Sequence, residues 1–318
     1  MKTHFVADLK PGSRLETTFL VHAKERKIAS NGKPYLDLEL RDSSGLIKAK
    51  VWDCERVEQE FEAEDFVCVQ GSVEAYRGTP QFVVTKVRRC AEGEIDPRDY
   101  FPRSSRDPEE MFTVLGARIL RTDAGPIQTL LRSVLDDPAI AEKFKLAPAA
   151  MSYHHAYLGG LLEHVLSLIE LADAVCDHYP SLRRDLVLAG IVLHDIGKID
   201  ELSYRRSFRY TTRGQLVGHI SMGVEMISEK IRQIPDFPAS LKDQIDHIIL
   251  SHHGQLDFGS PKEPMFPEAL VVHLLDNLDS KLESMRAQYA QDKDRPGEFT
   301  ARNPALKREL LKIDPLNH

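Results

Sequence analysis

The stretch Gly190-Ile191-Val192-Leu193-His194-Asp195-Ile196-Gly197-Lys198, GIVLHDIGK, ends an apolar helical run on an adjacent imidazole and carboxylate. A helix C-terminus accounts for part of it, with Gly197 read as the cap and Lys198 as a cation facing the negative end of the macrodipole. It does not account for Asp195, because a negative charge in the last turn is unfavourable. A bound cation would remove the conflict, so the question becomes whether the chain holds further ligands.

It does. His164 lies in GGLLEHVLSL, within an apolar helical stripe. His219 opens a helix in QLVGHISMG, His252 and His253 close one in LSHHG, and Asp276 sits among apolar residues in VVHLLDNLDSK. Each alone has a plain structural reading: a hydrogen-bonded core imidazole, a cap, a pair favoured by the helix dipole. Together they are hard to explain that way, since ionised carboxylates in apolar surroundings need a partner. Imidazole and carboxylate suit borderline and hard divalent metals. The cluster of His164, His194-Asp195, His219, His252-His253 and Asp276 therefore reads as a metal site.

The chain has 318 residues, 42% hydrophobic and 29% charged, with a net charge of −7. That length allows two domains and a large core. The negative balance excludes a generally basic, nucleic-acid-coating protein, but a local basic groove is compatible with it. No apolar run approaches the ~20 residues needed to span a bilayer, so no membrane association is expected. MKTHFVADLK at the start lacks a signal-peptide core. Cys54, Cys68, Cys90 and Cys176 are scattered without a CxxC pair. A zinc ribbon is thus excluded, and reduced thiols in a cytoplasmic protein are expected.

Upstream of the ligands the periodicity changes. Phe19–Lys24, Tyr35–Leu40, Leu46–Trp52, Phe66–Val73 and Gln81–Val87 read as strands, with turns at Asn31-Gly32, Asp42–Gly45 and Tyr76–Pro80. With a short helical insert at about Cys54–Phe61, this pattern predicts a small closed all-β barrel. Lys48, Lys50 and Trp52 share one strand face, because side chains repeat with period two. With Tyr35 they form the expected single-strand-binding surface: rings for bases, cations for phosphates. DPRDYFPRSSRD, Asp96–Asp107, lacks periodicity and reads as a linker. From Pro108 the pattern is helical, over Glu109–Leu120, Pro126–Leu135, His155–His178, Leu182–Asp195, Leu216–Arg232, Leu241–His252 and Pro267–Tyr289. The basic, aromatic excursion SYRRSFRYTTRG, Ser203–Gly214, interrupts it as a small hairpin. There Arg205, Arg206 and Arg209 would meet phosphates and Tyr210 a base.

The series His164, His194-Asp195, His219, His252-His253 and Asp276 resembles the ligand set of the HD-domain phosphohydrolase superfamily, over roughly Asp107 to Ala290. The strings YHHAYLGGLLEH, LAGIVLHDIGK, GQLVGHISMG, LSHHGQLDFGSP and EALVVHLLDNLDSK are similar to one branch, the YhaM-type 3′-to-5′ exoribonucleases, in which an oligonucleotide-binding (OB) fold precedes the HD domain. The resemblance implies an OB barrel over residues 1–95, a linker over 96–107, an all-α HD bundle over 108–295 and a C-terminal tail over 296–318. It implies that His164, His194, Asp195 and Asp276 hold one divalent ion. Asp195 would bridge to a second ion, which also takes His219 and His252. His253 would face the substrate or complete an outer site. Mn²⁺ is expected first, and the donor set accepts Fe²⁺, Co²⁺ or Zn²⁺ as well.

Phosphodiester hydrolysis gathers negative charge at phosphorus, and Lys198 would supply a fixed cation to meet it. Asp195, Lys198 and His253 are the expected catalytic residues. His154 and His155 would protonate the leaving oxygen or bind phosphate. The expected substrate is single-stranded nucleic acid, RNA before DNA. The alternative is a small nucleotide or cyclic nucleotide, with the barrel as a regulatory or binding module. The tail stretch Asn303–Ile313 reads as a docking helix or a frayed end, which leaves a homo-oligomer open.

Overall fold

The computed structural model describes residues 2–312 apart from 55, 56, 58, 77, 92, 152–154 and 205–208. Two compact units emerge, Met1–Arg103 with Tyr204–Phe208, and Ser104–Ser203 with Arg209–His318.

The first unit is a closed barrel of β1 (Arg14–Ile28), β2 (Pro34–Asp42), β3 (Gly45–Val51), β4 (Phe66–Tyr76) and β5 (Thr79–Arg89), in the order β1-β2-β3-β5-β4. β1 pairs with both β2 and β4, and β3 pairs with β5 in parallel, so no edge is left open. The alternation read from the sequence is the alternation of burial: Leu36, Leu38 and Leu40 of β2 face the core with Ile47, Ala49 and Val51 of β3. Phe19 and Phe82 meet edge to face inside, with ring centroids 6.1 Å apart. The expected helical insert contains residues 55, 56 and 58, which lie outside the described residues. Tyr100 and Phe101, within the stretch expected as a linker, are buried. Tyr100 packs its ring on Phe66 and bonds its hydroxyl to Thr18.

The second unit is mainly helical. It comprises α1 (Pro108–Leu120), α2 (Pro126–Leu135), α3 (Pro138–Leu146), α4 (Gly160–His178), α5 (Arg184–Leu193), α6 (Lys198–Glu201), α7 (Thr212–Arg232), α8 (Ala239–Ser251) and α9 (Pro267–Gln291). It is not strictly all-α, since β6 (Leu202–Ser203) and β7 (Arg209–Tyr210) pair as a ribbon within the basic excursion. The apolar periodicity does not reveal α3, although Asp137 caps it and Pro138 opens it. α4 begins at Gly160 rather than His155, because His155 and Gly159 both take positive φ, at 45° and 80°. α7 kinks at Gly218, so that His219 starts a fresh helical segment. α5 and α9 pack on each other and on both α4 and α8, and α6 packs on α7. The C-terminal stretch forms no helix within the described residues. It folds back on α9, where Asn303 bonds to Ser284, and pairs Phe299 with Leu311.

Candidate metal centre

The HD step sits where α5 ends. Gly197 is right-handed there, with φ −62° and ψ −19°, so it is not the left-handed cap that the sequence suggested. It is glycine for want of space: a Cβ would lie 2.1 Å from the His219 carbonyl oxygen. This close approach sets the turn after α5 against the kinked start of α7 and brings His219 to Asp195. Gly254 plays a similar part after α8. It takes φ +79°, and a Cβ would meet the His273 ring at 2.1 Å.

Each ligand imidazole has its Nδ1 committed to an oxygen. His164 Nδ1 is 2.7 Å from Asp279 Oδ2, and His219 Nδ1 is 3.0 Å from Glu201 Oε1. His194 Nδ1 is 2.8 Å from the Ile191 carbonyl, and His252 Nδ1 is 2.8 Å from that of Ile249. A carbonyl or carboxylate only accepts, so Nδ1 carries the proton and the Nε2 lone pair is left to face inward. Among the described residues, the buried side-chain nitrogen and oxygen atoms without a hydrogen-bond partner are His194 Nε2, Asp195 Oδ1, His219 Nε2, His252 Nε2 and Asp246 Oδ1. All but the last surround the Asp195 carboxylate, with His194 Nε2 on its Oδ2 side and the His219 and His252 Nε2 atoms on its Oδ1 side. Buried acceptors left unpaired are costly, and bound cations would satisfy them.

Asp195 faces two donor groups. Its Oδ2 is 3.2 Å from His194 Nε2, on the side of His164 and Asp276. Its Oδ1 is 3.5 Å from His219 Nε2 and 3.6 Å from His252 Nε2, on the side that also holds His253. The residues present therefore fit a divalent metal centre. Asp195 and His194 are buried, as are His164 and His252.

The electrostatics follow. Burial works against the charged form of Asp195, yet Lys198 and the neighbouring imidazoles hold its carboxyl well below the usual carboxylate range. Lys198 Nζ lies 2.6 Å from Asp195 Oδ2, and this carboxylate raises its pKa against the effect of burial. Burial also opposes charge on His164, but the carboxylates of Asp276 and Asp279 outweigh it and raise the pKa to about 9, so without a cation its Nε2 carries a proton towards Asp276 that a bound metal would displace. Burial and the charge of His194 push His252 well down. Burial and His219 lower His253. The first donor group thus attracts positive charge, and in the second His252 and His253 favour the neutral imidazole suited to coordination.

A cleft of about 580 Å³ opens on these donors. Asp195, Lys198, His219, His252, His253 and Asp276 line it with Tyr210. His155 does not. It is buried, with Nε2 3.2 Å from Asp279 Oδ2 and Nδ1 2.8 Å from the Tyr157 hydroxyl, behind His164 rather than in the cleft. His154, Arg205 and Arg206 lie outside the described residues. Arg209 and Tyr210 are exposed on β7. Sequence reasoning missed Asp279, Glu201 and His273, whose Nδ1 is 2.7 Å from the His252 carbonyl. Only Asp279 had a visible signal, since it stands one helical turn after Asp276.

On the barrel, Tyr35 and Trp52 stack at a tilt with centroids 4.8 Å apart, and Trp52 is 49% exposed. Lys48 is exposed on the same face. Lys50 is drawn to Asp37, at 2.6 Å, and lies over the Tyr35 ring.

The chain matches the HD domain family over residues 161–281 and the OB-fold nucleic acid binding domain family of the tRNA anti-codon type over 20–89. It is 39% identical over 298 residues to a 3′-5′ exoribonuclease YhaM of Bacillus velezensis, covering 93% of both chains. Among solved structures, a domain of replication protein A from Methanococcus maripaludis is 22% identical, covering 27% of this chain and 92% of its own, with a TM-score of 0.24. The HD domain of the phosphodiesterase PgpH from L. monocytogenes is 19% identical, covering 50% and 84%, with a TM-score of 0.30.

Proposed function

Because the chain belongs to the YhaM family of 3′-5′ exoribonucleases, we propose that it shortens single-stranded RNA from the 3′ end by metal-dependent hydrolysis of the terminal phosphodiester. The OB barrel binds the strand and the HD unit cleaves it. The observation that carries this reading is the set of unpartnered His194, His219 and His252 Nε2 atoms around the Asp195 carboxylate, which lines an open cleft together with His219 and His252.

His164, His194, Asp195 and Asp276 would hold one ion; Asp195, His219 and His252 would hold a second, Mn²⁺ before Fe²⁺, Co²⁺ or Zn²⁺. When bound, such cations supply Lewis acidity at the phosphate and a nucleophile at neutral pH. The protein's own groups do the rest. Lys198 fixes the Asp195 carboxylate and offers positive charge to the phosphate as the bond breaks. His253 has Nδ1 committed to the Phe258 carbonyl at 3.0 Å, which leaves Nε2 for the substrate or an outer ligand position. Asp279 and Glu201 keep His164 and His219 in the tautomer that coordinates. Tyr35, Lys48, Lys50 and Trp52 receive the strand on the barrel, and Arg205, Arg206, Arg209 and Tyr210 meet it on the excursion after α6. The thiols of Cys54, Cys68, Cys90 and Cys176 are free, which supports a reducing, cytoplasmic setting. No described helix is long and apolar enough to cross a membrane.

Stepwise release of mononucleotides from a single-stranded RNA oligomer with Mn²⁺, abolished by EDTA, is the expected result. Hydrolysis of a mononucleotide or cyclic dinucleotide, with the oligomer left intact, would move the assignment to a small-nucleotide phosphohydrolase.

A further inference from the structure

The cleft carries a feature that the metal chemistry does not use. Its floor is polar, yet three large apolar side chains stand on its walls: Met151 before α4, Tyr210 on β7 and Phe258 in the 3₁₀ turn Leu256–Phe258 after α8. They are 37%, 46% and 63% exposed, so core packing does not explain them.

Phe258 is the most informative. Its turn is well fixed: the Phe258 amide donates to the Gln255 carbonyl at 3.0 Å, and that of Gly259 to Leu256 at 2.9 Å. The hydroxyl of buried Ser260 lies 3.0 and 2.8 Å from the Leu250 and Lys262 carbonyls, which share its single proton. The Phe258 carbonyl accepts from His253, which ties the turn to the metal-facing histidines. A ring on a backbone held this firmly, and still left in water beside the reacting centre, has the properties of a platform. The occupant that belongs there is the base of the nucleotide whose phosphodiester lies over the metal donors. A ring face accepts every base, so such a contact grips the strand end without reading sequence.

Resting on the exonuclease assignment, we infer that Phe258, with Tyr210 and Met151 on the facing walls, forms a sequence-neutral subsite for the terminal nucleobase.

The test compares two single-stranded RNAs that differ only at the 3′ end, one closing on an ordinary nucleotide and the other on an abasic residue. The rate of removal of that terminal residue is measured with Mn²⁺ for the wild type, Phe258→Ala and Phe258→Trp. The inference expects the wild type to favour the ordinary end about tenfold or more. The ratio collapses towards one in Phe258→Ala and returns in Phe258→Trp. A wild-type ratio near one would overturn it, as would a ratio that survives in Phe258→Ala while both rates fall, since the ring would then only support the turn and His253. If the wild type removes neither end, the exonuclease assignment fails and the subsite falls with it.

Discussion

Asp279 and Glu201 touch no substrate in this account, yet each decides what an imidazole can do. Both fix an Nδ1–H and thereby aim an Nε2 lone pair, and both carboxyl groups are held below their usual pKa by the histidines they serve, against the opposing effect of burial. Removing such a partner costs about 10- to 100-fold in metal affinity. Asp279→Asn and Glu201→Gln are each expected to weaken Mn²⁺ binding by that order while leaving the fold intact, measured by metal titration alongside circular dichroism. Unchanged affinity would mean that the imidazoles orient themselves. The histidines themselves were legible in the sequence because an imidazole in an apolar stripe stands out by type. Glu201 was not, since it meets His219 only where α6 packs on α7. The place of His155 before the first ligand suggests a substrate contact. Its left-handed backbone instead turns the ring inward to Asp279.

At the scale of elements, alternation predicted the strands well because each barrel strand has one face in the core. The helices were legible where an apolar stripe is long, as in α4 and α9, and less so where it is short. α3 was missed for that reason, but its anchoring makes a prediction. Asp137 caps it by accepting from the Ala139 amide at 2.9 Å and pairs with Lys230 of α7 at 2.7 Å. Asp137→Ala is expected to cost about 1 kcal/mol at neutral pH, as lost caps do. The Lys230 hydrogen bond lowers the folded pKa of Asp137. Its contribution is therefore complete above the unfolded carboxylate range near pH ~4 and is lost as pH falls through the lower folded value. Denaturation of variant and wild type should differ at pH 7 and converge in acid. Gly197→Ala should be far worse than a capping change, since its methyl would enter the His219 backbone. Loss of Mn²⁺ binding together with a lower melting temperature is the expected signature.

At the scale of the whole molecule, a net charge of −7 means that strand binding has to come from local surface. The barrel face supplies it unevenly. Lys48 is exposed, whereas Lys50 is held by Asp37, a pairing that the strand pattern alone did not reveal. Lys48→Ala is accordingly expected to make the dependence of log affinity on log salt shallower by about 0.7, and Lys50→Ala by less. Trp52→Ala should weaken binding of a single strand by about tenfold or more at any salt concentration, measured by fluorescence anisotropy. Equal salt slopes for the two lysine variants would remove the role given to Asp37.

If Asp195 joins the two donor groups into one metal-dependent centre, RNA is consumed from its 3′ end only while that carboxylate and a divalent ion are both present. A gel time course on 5′-labelled single-stranded RNA tests it most directly, with wild type and Asp195→Asn, each with Mn²⁺ or with EDTA. A ladder shortening from the 3′ end is expected for wild type with Mn²⁺, and intact RNA in every other lane. Intact RNA in all lanes, or an equal ladder from Asp195→Asn, would contradict it.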